Sequence, residues 1–235
     1  MPRKDNKRVK KMKTIIYIYR FICIALIIML FFSINVKNNK KEPVVVKKEV
    51  INPNIVMLGD SITDYYDLDK YFGEDKLIVN SGISGNKTSD ILSDMKNRVY
   101  RYNPSKVFLL IGINNFLHDD ITPDEMVNQI DEIVTEIHEK LPNTIIYIES
   151  IYPVNDIWKT RYDSSVKDPM EVNRKVRETN LLLRQYCKKN DYKYINVYSS
   201  LIDDKYSLKA IYSDDGLHPN ENGYEVITKV LKKYM

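Results

Sequence analysis

Five short apolar runs, separated by stretches of helical period, constrain this chain more than any other feature. They are Ile55–Leu58, Leu77–Asn80, Val107–Ile111, Thr144–Glu149 and Tyr194–Val197. Each is nearly continuous, whereas a strand with one wet face would alternate apolar and polar residues. Continuous runs fit parallel strands covered on both faces. The intervening segments repeat at helical spacing. Thr122-Pro123-Asp124-Glu125 supplies an N-cap, a proline at the first helical position and a capping-box acid. Met126, Ile130, Ile133, Val134, Ile137 and Leu141 then form one apolar stripe. Val172, Val176, Thr179, Leu183 and Tyr186 form another, with Cys187 packing on it. Residues 89–100 and 221–233 complete the set. Strands alternating with helices predict an α/β protein with a doubly wound, five-stranded parallel sheet.

Open parallel sheets bind ligands beyond the carboxyl ends of their strands. Four polar, glycine-bearing turns fall there. They are Gly59-Asp60-Ser61-Ile62-Thr63, the turn from Asn80 to Thr88, Gly112-Ile113-Asn114-Asn115, and Asp214-Asp215-Gly216-Leu217-His218-Pro219. Acyl transfer requires an activated hydroxyl, a base, a group that orients the base, and donors for the developing oxyanion. Ser61 sits at a strand-to-helix turn, where a hydroxyl can be presented. His218 can take its proton, and Asp215, three residues earlier, can hold the other imidazole nitrogen. The oxyanion donors would be the Ser61 N–H, a glycine N–H of the second turn and the Asn114 side-chain amide.

These blocks resemble the SGNH (GDSL-type) hydrolases, a family of esterases and lipases. The first block is GDSIT, the second GISGNKT, the third GINN and the last DGLH. Their order and their placement at strand ends match over about residues 54–233, essentially the whole globular part. The resemblance assigns the oxyanion glycine to Gly85 rather than Gly82. It implies a three-layer α/β/α, flavodoxin-like fold and a mechanism with no metal and no cofactor. One departure is Asn115, where the family often has Asp; it leaves Ser61, Asp215 and His218 untouched.

Each block alone has an ordinary explanation: a Gly-Asp-Ser turn, an Asn-rich turn, a loop Asp and His. Four in the right order at the right strand ends are hard to assign to chance. His138, among Glu136, Glu139 and Lys140, reads as a solvated surface residue, and His118 as a loop residue without a chemical task. Three histidines and two cysteines supply no paired metal motif. Lys87-Thr88 lacks the spacing of a phosphate loop. Residues 152–171 form the one long stretch with neither period, a length typical of binding loops. Its Trp158, Arg161 and Tyr162 could contact substrate, since aromatic faces stack on sugars or cover acyl chains. A hydrophobic plug that holds the loop down is the equal alternative.

The first fifty residues differ in kind. They carry 13 Lys+Arg against 3 Asp+Glu, while the rest carries 23 against 29. The basic excess is therefore terminal, and the mildly acidic body argues against nucleic acid as a partner. Residues 1–13 read as a basic cytoplasmic tail, 14–36 as a transmembrane anchor, 37–53 as a charged tether and 54–235 as the hydrolase domain. Ile15–Val36 holds 22 residues, or about 33 Å of helix, enough to span a bilayer. No small-x-small cleavage pattern follows it. The positive-inside rule places the amino terminus in the cytoplasm and the domain outside a single-pass cell membrane.

The expectation is a membrane-anchored, extracytoplasmic serine esterase acting on O-acetyl or short O-acyl groups of an envelope or secreted glycan. A lipase or lysophospholipase acting on lipid is the near alternative. A non-catalytic glycan-binding module on a hydrolase fold is the more distant one.

Overall fold

The computed structural model describes residues 12, 17–30, 54–74, 77–161 and 167–235. The chain divides into two compact units, Met1–Val50 and Ile51–Met235. In the first, residues 17–30 are helical, with Tyr17, Phe21, Ile24 and Leu30 exposed. The expected anchor at 14–36 extends past both ends of this helix, and its remainder lies outside the described residues. So do the tether at 37–53 and, Met12 apart, the basic tail. Among the described residues no helix is long and apolar enough to cross a membrane.

The second unit is built on a five-stranded sheet ordered β2-β1-β3-β4-β5. Its strands are β1 (Ile55–Gly59), β2 (Ile78–Gly82), β3 (Lys106–Leu110), β4 (Ile145–Glu149) and β5 (Lys193–Ile195). Every pairing is parallel. All five expected strands are present, with shifted ends. β2 runs on to Gly82 because it stays in register with β1, where Gly59 faces Gly82. β1 is buried at all five positions, which requires cover on both faces of the sheet.

The helices cover it as their apolar stripes dictate. Here α1 is Ser61–Asp64, α2 Leu68–Phe72, α3 Thr88–Ser93, α4 Met95–Arg98, α5 Ile113–His118 and α6 Pro123–Lys140. α7 is Asp156–Arg161, α8 Pro169–Asn190, α9 Tyr198–Leu201 and α10 Glu221–Leu231. The α6 capping box forms as read: the Glu125 N–H donates to Thr122 Oγ1 at 3.3 Å, and the Thr122 N–H to Glu125 Oε2 at 2.8 Å. α6 buries Met126, Ile130, Ile133, Val134 and Ile137, each contributing roughly 1.5–3 kcal/mol. Cys187 packs in the core of α8 at 1% exposure. The expected helix at 89–100 is broken into α3 and α4, because Asp94 leaves helical geometry (φ −135°, ψ 31°).

The core also holds polar groups. Glu149, the last residue of β4, is buried and accepts a hydrogen bond from Tyr152 Oη at 2.6 Å. Tyr66 Oη pairs with Thr228 Oγ1 at 2.6 Å, and Tyr224 Oη donates to the Ile62 carbonyl at 2.7 Å. The last two bonds fasten α10 to the start of α1 and to the turn that follows it. Burial pushes the Glu149 carboxyl up from 4.5 to about 7. The folded chain therefore keeps a proton that the unfolded chain releases at lower pH. The resulting stability is fully present below the unfolded value and is lost as pH rises through the folded one. Glu149→Gln carries no such proton. Between pH 5 and 7.5 the wild type should lose about 2 kcal/mol more stability than the variant. Thermal melts across that range check this; parallel pH dependences would contradict it.

Candidate active site

The site assembles where β1, β2 and β3 end level with one another: Gly59 faces Gly82 on one side and Leu110 on the other. The chain turns at Asp60, whose carboxylate accepts from the Ile62 N–H at 3.0 Å and caps α1. The cap takes the Ile62 N–H rather than that of Ser61. Ser61, the first residue of α1, is buried at its base and meets His218 at its hydroxyl. His218 Nε2 lies 2.9 Å from Ser61 Oγ, and His218 Nδ1 lies 2.6 Å from Asp215 Oδ2. The carboxylate at Nδ1 requires the proton there, which leaves the Nε2 lone pair facing the hydroxyl.

Asp215 is itself held. Its Oδ1 accepts from the Leu217 N–H at 2.9 Å, the His218 N–H at 2.8 Å and Ser213 Oγ at 3.2 Å. Burial alone would raise this carboxyl, but the His218 side chain and the two N–H groups outweigh it and hold Asp215 below the ordinary value. It stays a carboxylate wherever the imidazole can act as a base. Asp60 behaves in the opposite way: burial raises its carboxyl to about 7 against the lowering pull of the Ile62 N–H and the more distant Arg98 charge.

The second and third turns lie alongside. The Asn86 N–H donates to the Ile83 carbonyl at 3.2 Å, and Gly85 at the turn's third position has φ +79°. That is the geometry of a type II turn, which favours glycine there. The turn's own bond uses the Asn86 N–H and not that of Gly85. Asp64 Oδ2 accepts from Ser84 Oγ at 2.6 Å and pins the turn to α1. Asn114, on the first turn of α5, donates its side-chain amide to the Asn86 carbonyl at 3.0 Å. The glycine and amide expected to face an oxyanion are thus on contiguous turns. Asn115 is buried and bonds Thr88 through both ends of its amide, at 3.3 and 3.1 Å.

The stretch 152–171 corrects an expectation, for it contains helix α7. Asn155 caps it, accepting from the Ile157 N–H at 2.9 Å, and the Asn155 N–H donates to the Gly216 carbonyl at 2.9 Å. Trp158 is 6% exposed. It packs in the core and offers no ring face to solvent, and its backbone nitrogen lies close against Gly216. Arg161 is exposed and reaches the Asp214 carbonyl at 3.4 Å. Tyr162 lies outside the described residues. His118 and His138 are both exposed. Nothing in the sequence points to Tyr65, whose ring tilts over His218 with centroids 5.1 Å apart, nor to Ser213 and Asn155. No periodicity or motif marks any of the three.

A serine, an imidazole and a carboxylate in relay beside a parallel sheet's carboxyl edge form the constellation of a serine hydrolase. Comparison with known proteins narrows this. The chain belongs to the GDSL-like Lipase/Acylhydrolase family, whose model matches residues 57–226, and the family is one of carboxylic ester hydrolases. A Streptococcus pneumoniae structure provisionally described as a platelet activating factor is 33% identical, with a TM-score of 0.70 over 80% of this chain and 86% of that one. An acetylxylan esterase from Geobacillus stearothermophilus shares the fold at 17% identity, with a TM-score of 0.58 over 76% of this chain and 92% of its own. An N-acylneuraminate cytidylyltransferase of Escherichia coli is 27% identical over 74% of this chain. The chain spans only 38% of that relative's length.

Two glycines make contrasting tests. A methyl at Gly216 (φ +86°) would stand 2.2 Å from the Trp158 nitrogen, whereas one at Gly85 (φ +79°) meets nothing within 4 Å. Gly85→Ala should cost only backbone strain, about 1–2 kcal/mol. Gly216→Ala should cost more and also displace the Asp215–His218 loop, lowering kcat. Equal losses in thermal unfolding would refute this account of the loop.

Proposed function

We propose that this chain is a serine esterase that removes short O-acyl groups, acetyl foremost, from a glycan. The observation that carries the reading is the relay from Asp215 through His218 to Ser61, at 2.6 and 2.9 Å. As Ser61 Oγ attacks the ester carbonyl carbon, its proton passes to His218 Nε2. The carbonyl oxygen gains the negative charge, met by the Ser61 N–H, the Gly85 N–H and the Asn114 amide. When the tetrahedral intermediate collapses, His218 returns the proton to the departing alkoxide, and the alcohol leaves. Water, deprotonated by the same imidazole, then attacks the acyl-Ser61 ester and releases the carboxylic acid. Asp215 keeps Nδ1 protonated and steadies the imidazolium in both halves.

The glycan assignment draws on the relatives and on the surface around the site. The acetylxylan esterase shares this fold, and the cytidylyltransferase relative is named for an acylated sugar acid. Arg161, exposed beside Asp214, is a cation able to meet an acidic sugar. The amino-terminal charge pattern supports an anchor at 14–36 that holds the domain outside the membrane, near envelope polymers. A lipid acylhydrolase is the second reading. Its support is the exposed apolar surface of Tyr65 and Ile83, at 56% and 45%, flanking Ser61 and Gly85. A non-catalytic binding module is disfavoured, because it would have no need of a closed relay.

Ser61→Ala in the full chain should lower kcat by at least about 10⁴-fold and abolish labelling by a fluorophosphonate, and Asp215→Asn should cost about 10⁴-fold. A panel of ester chain lengths measured by acid release separates the two readings: preference for acetyl supports the glycan reading, and preference for eight carbons or more rejects it. Retained hydrolysis in Ser61→Ala would reject the mechanism.

A further inference from the structure

Arg98 stands out among the polar groups that the relay does not use. It ends α4, is 3% exposed, and lies behind the site. One guanidinium nitrogen, Nη2, donates to the Gly59 carbonyl at 2.6 Å and the Ser81 carbonyl at 2.5 Å; the other, Nη1, donates to Asn86 Oδ1 at 2.5 Å. Each acceptor belongs to a different part of the site. Gly59 is two residues before Ser61. Ser81 lies at the carboxyl end of β2, and its hydroxyl donates back to the Arg98 carbonyl at 2.9 Å. Asn86 follows Gly85, and its carbonyl receives the Asn114 amide.

A buried guanidinium is an expensive way to gain stability. Desolvation costs several kcal/mol, and an apolar side chain of similar volume often does as well or better. Here the penalty is not fully offset, since Arg98 Nε and the nearby Asp60 Oδ2 are both buried with no hydrogen-bond partner. The guanidinium does supply a rigid planar fork that fixes three acceptors at set angles, which neither an apolar residue nor the point charge of lysine reproduces.

We infer that Arg98 is a positioning residue for ester cleavage, a cation that sets the spacing between the Ser61 turn and the Gly85–Asn86 turn from behind the sheet edge. It touches no substrate and acts through the backbone that carries the nucleophile and the oxyanion donors. The inference rests on the ester-hydrolase reading of Ser61, Gly85 and Asn114. A spacing error between nucleophile and oxyanion donors weakens the transition state more than the ground state, so its signature is in kcat.

The test uses the full chain. Wild type is first assayed for short-ester hydrolysis and for fluorophosphonate labelling at Ser61; failure of both would remove the ester-hydrolase reading, and this inference with it. Given an active wild type, Arg98→Lys and Arg98→Met are compared well below their own melting temperatures, with near-ultraviolet circular dichroism reporting the folded fraction. The expected result is a fall in kcat of about 10- to 100-fold per folded molecule, KM within about threefold, and a milder loss in the lysine variant. Combined with Asn114→Ala, the losses should be less than multiplicative, because both changes act on the Asn86 turn. If Arg98→Met does not fold, the lysine variant and its Asn114→Ala double decide alone. Wild-type kcat in Arg98→Lys, activity that merely tracks the folded fraction, or fully multiplicative losses would each overturn the inference and leave the esterase reading standing.

Discussion

Everything chemical in this protein depends on the level ending of its three central strands. Parallel pairing fixes Gly59, Gly82 and Leu110 side by side, so the turns that follow emerge at one height. A slip of one residue in any of these strands would exchange the two faces of the sheet for that strand. It would also carry Ser61, Gly85 or Asn114 out of reach of the other two. The apolar continuity of the strands thus does more than fill a core. It sets the alignment from which short polar turns can build a site.

The turns are then locked by bonds that run between them. Asp64 holds Ser84, Asn114 holds Asn86, Asn115 holds Thr88, and Asn155 holds Gly216. Tyr224 reaches from the last helix to the Ile62 carbonyl. Such side-chain bonds satisfy backbone groups that the sheet edge leaves open, and they rigidify loops that would otherwise move independently. The residues that could carry acyl transfer consequently sit in a frame with little freedom, which suits electrostatic stabilisation of a developing charge.

The legible part of the chain was whatever obeyed a period or a spacing. Strands buried on both faces announce themselves as unbroken apolar runs, and α6 announces itself through Thr122, Pro123 and Glu125. Asp215 and His218 were readable because three residues bring a carboxylate back to its own imidazole. α7 was not, because six residues are too few for a helical stripe; its stability comes from the Asn155 cap and the contact with Gly216, which are tertiary. Trp158 could be read two ways until its burial was known. Arg98 was opaque for a similar reason. An arginine on a charged helix looks like a solvated one, and only the packing of α4 turns it inward.

The relay joins Ser61 to a base 157 residues further along the chain. The hydroxyl is therefore synthesised long before the imidazole that can activate it. Until the closing segment has been made and has docked, a nascent or half-folded copy holds no Asp215–His218–Ser61 relay. The relay therefore closes only when segments from opposite ends of this unit have been brought together.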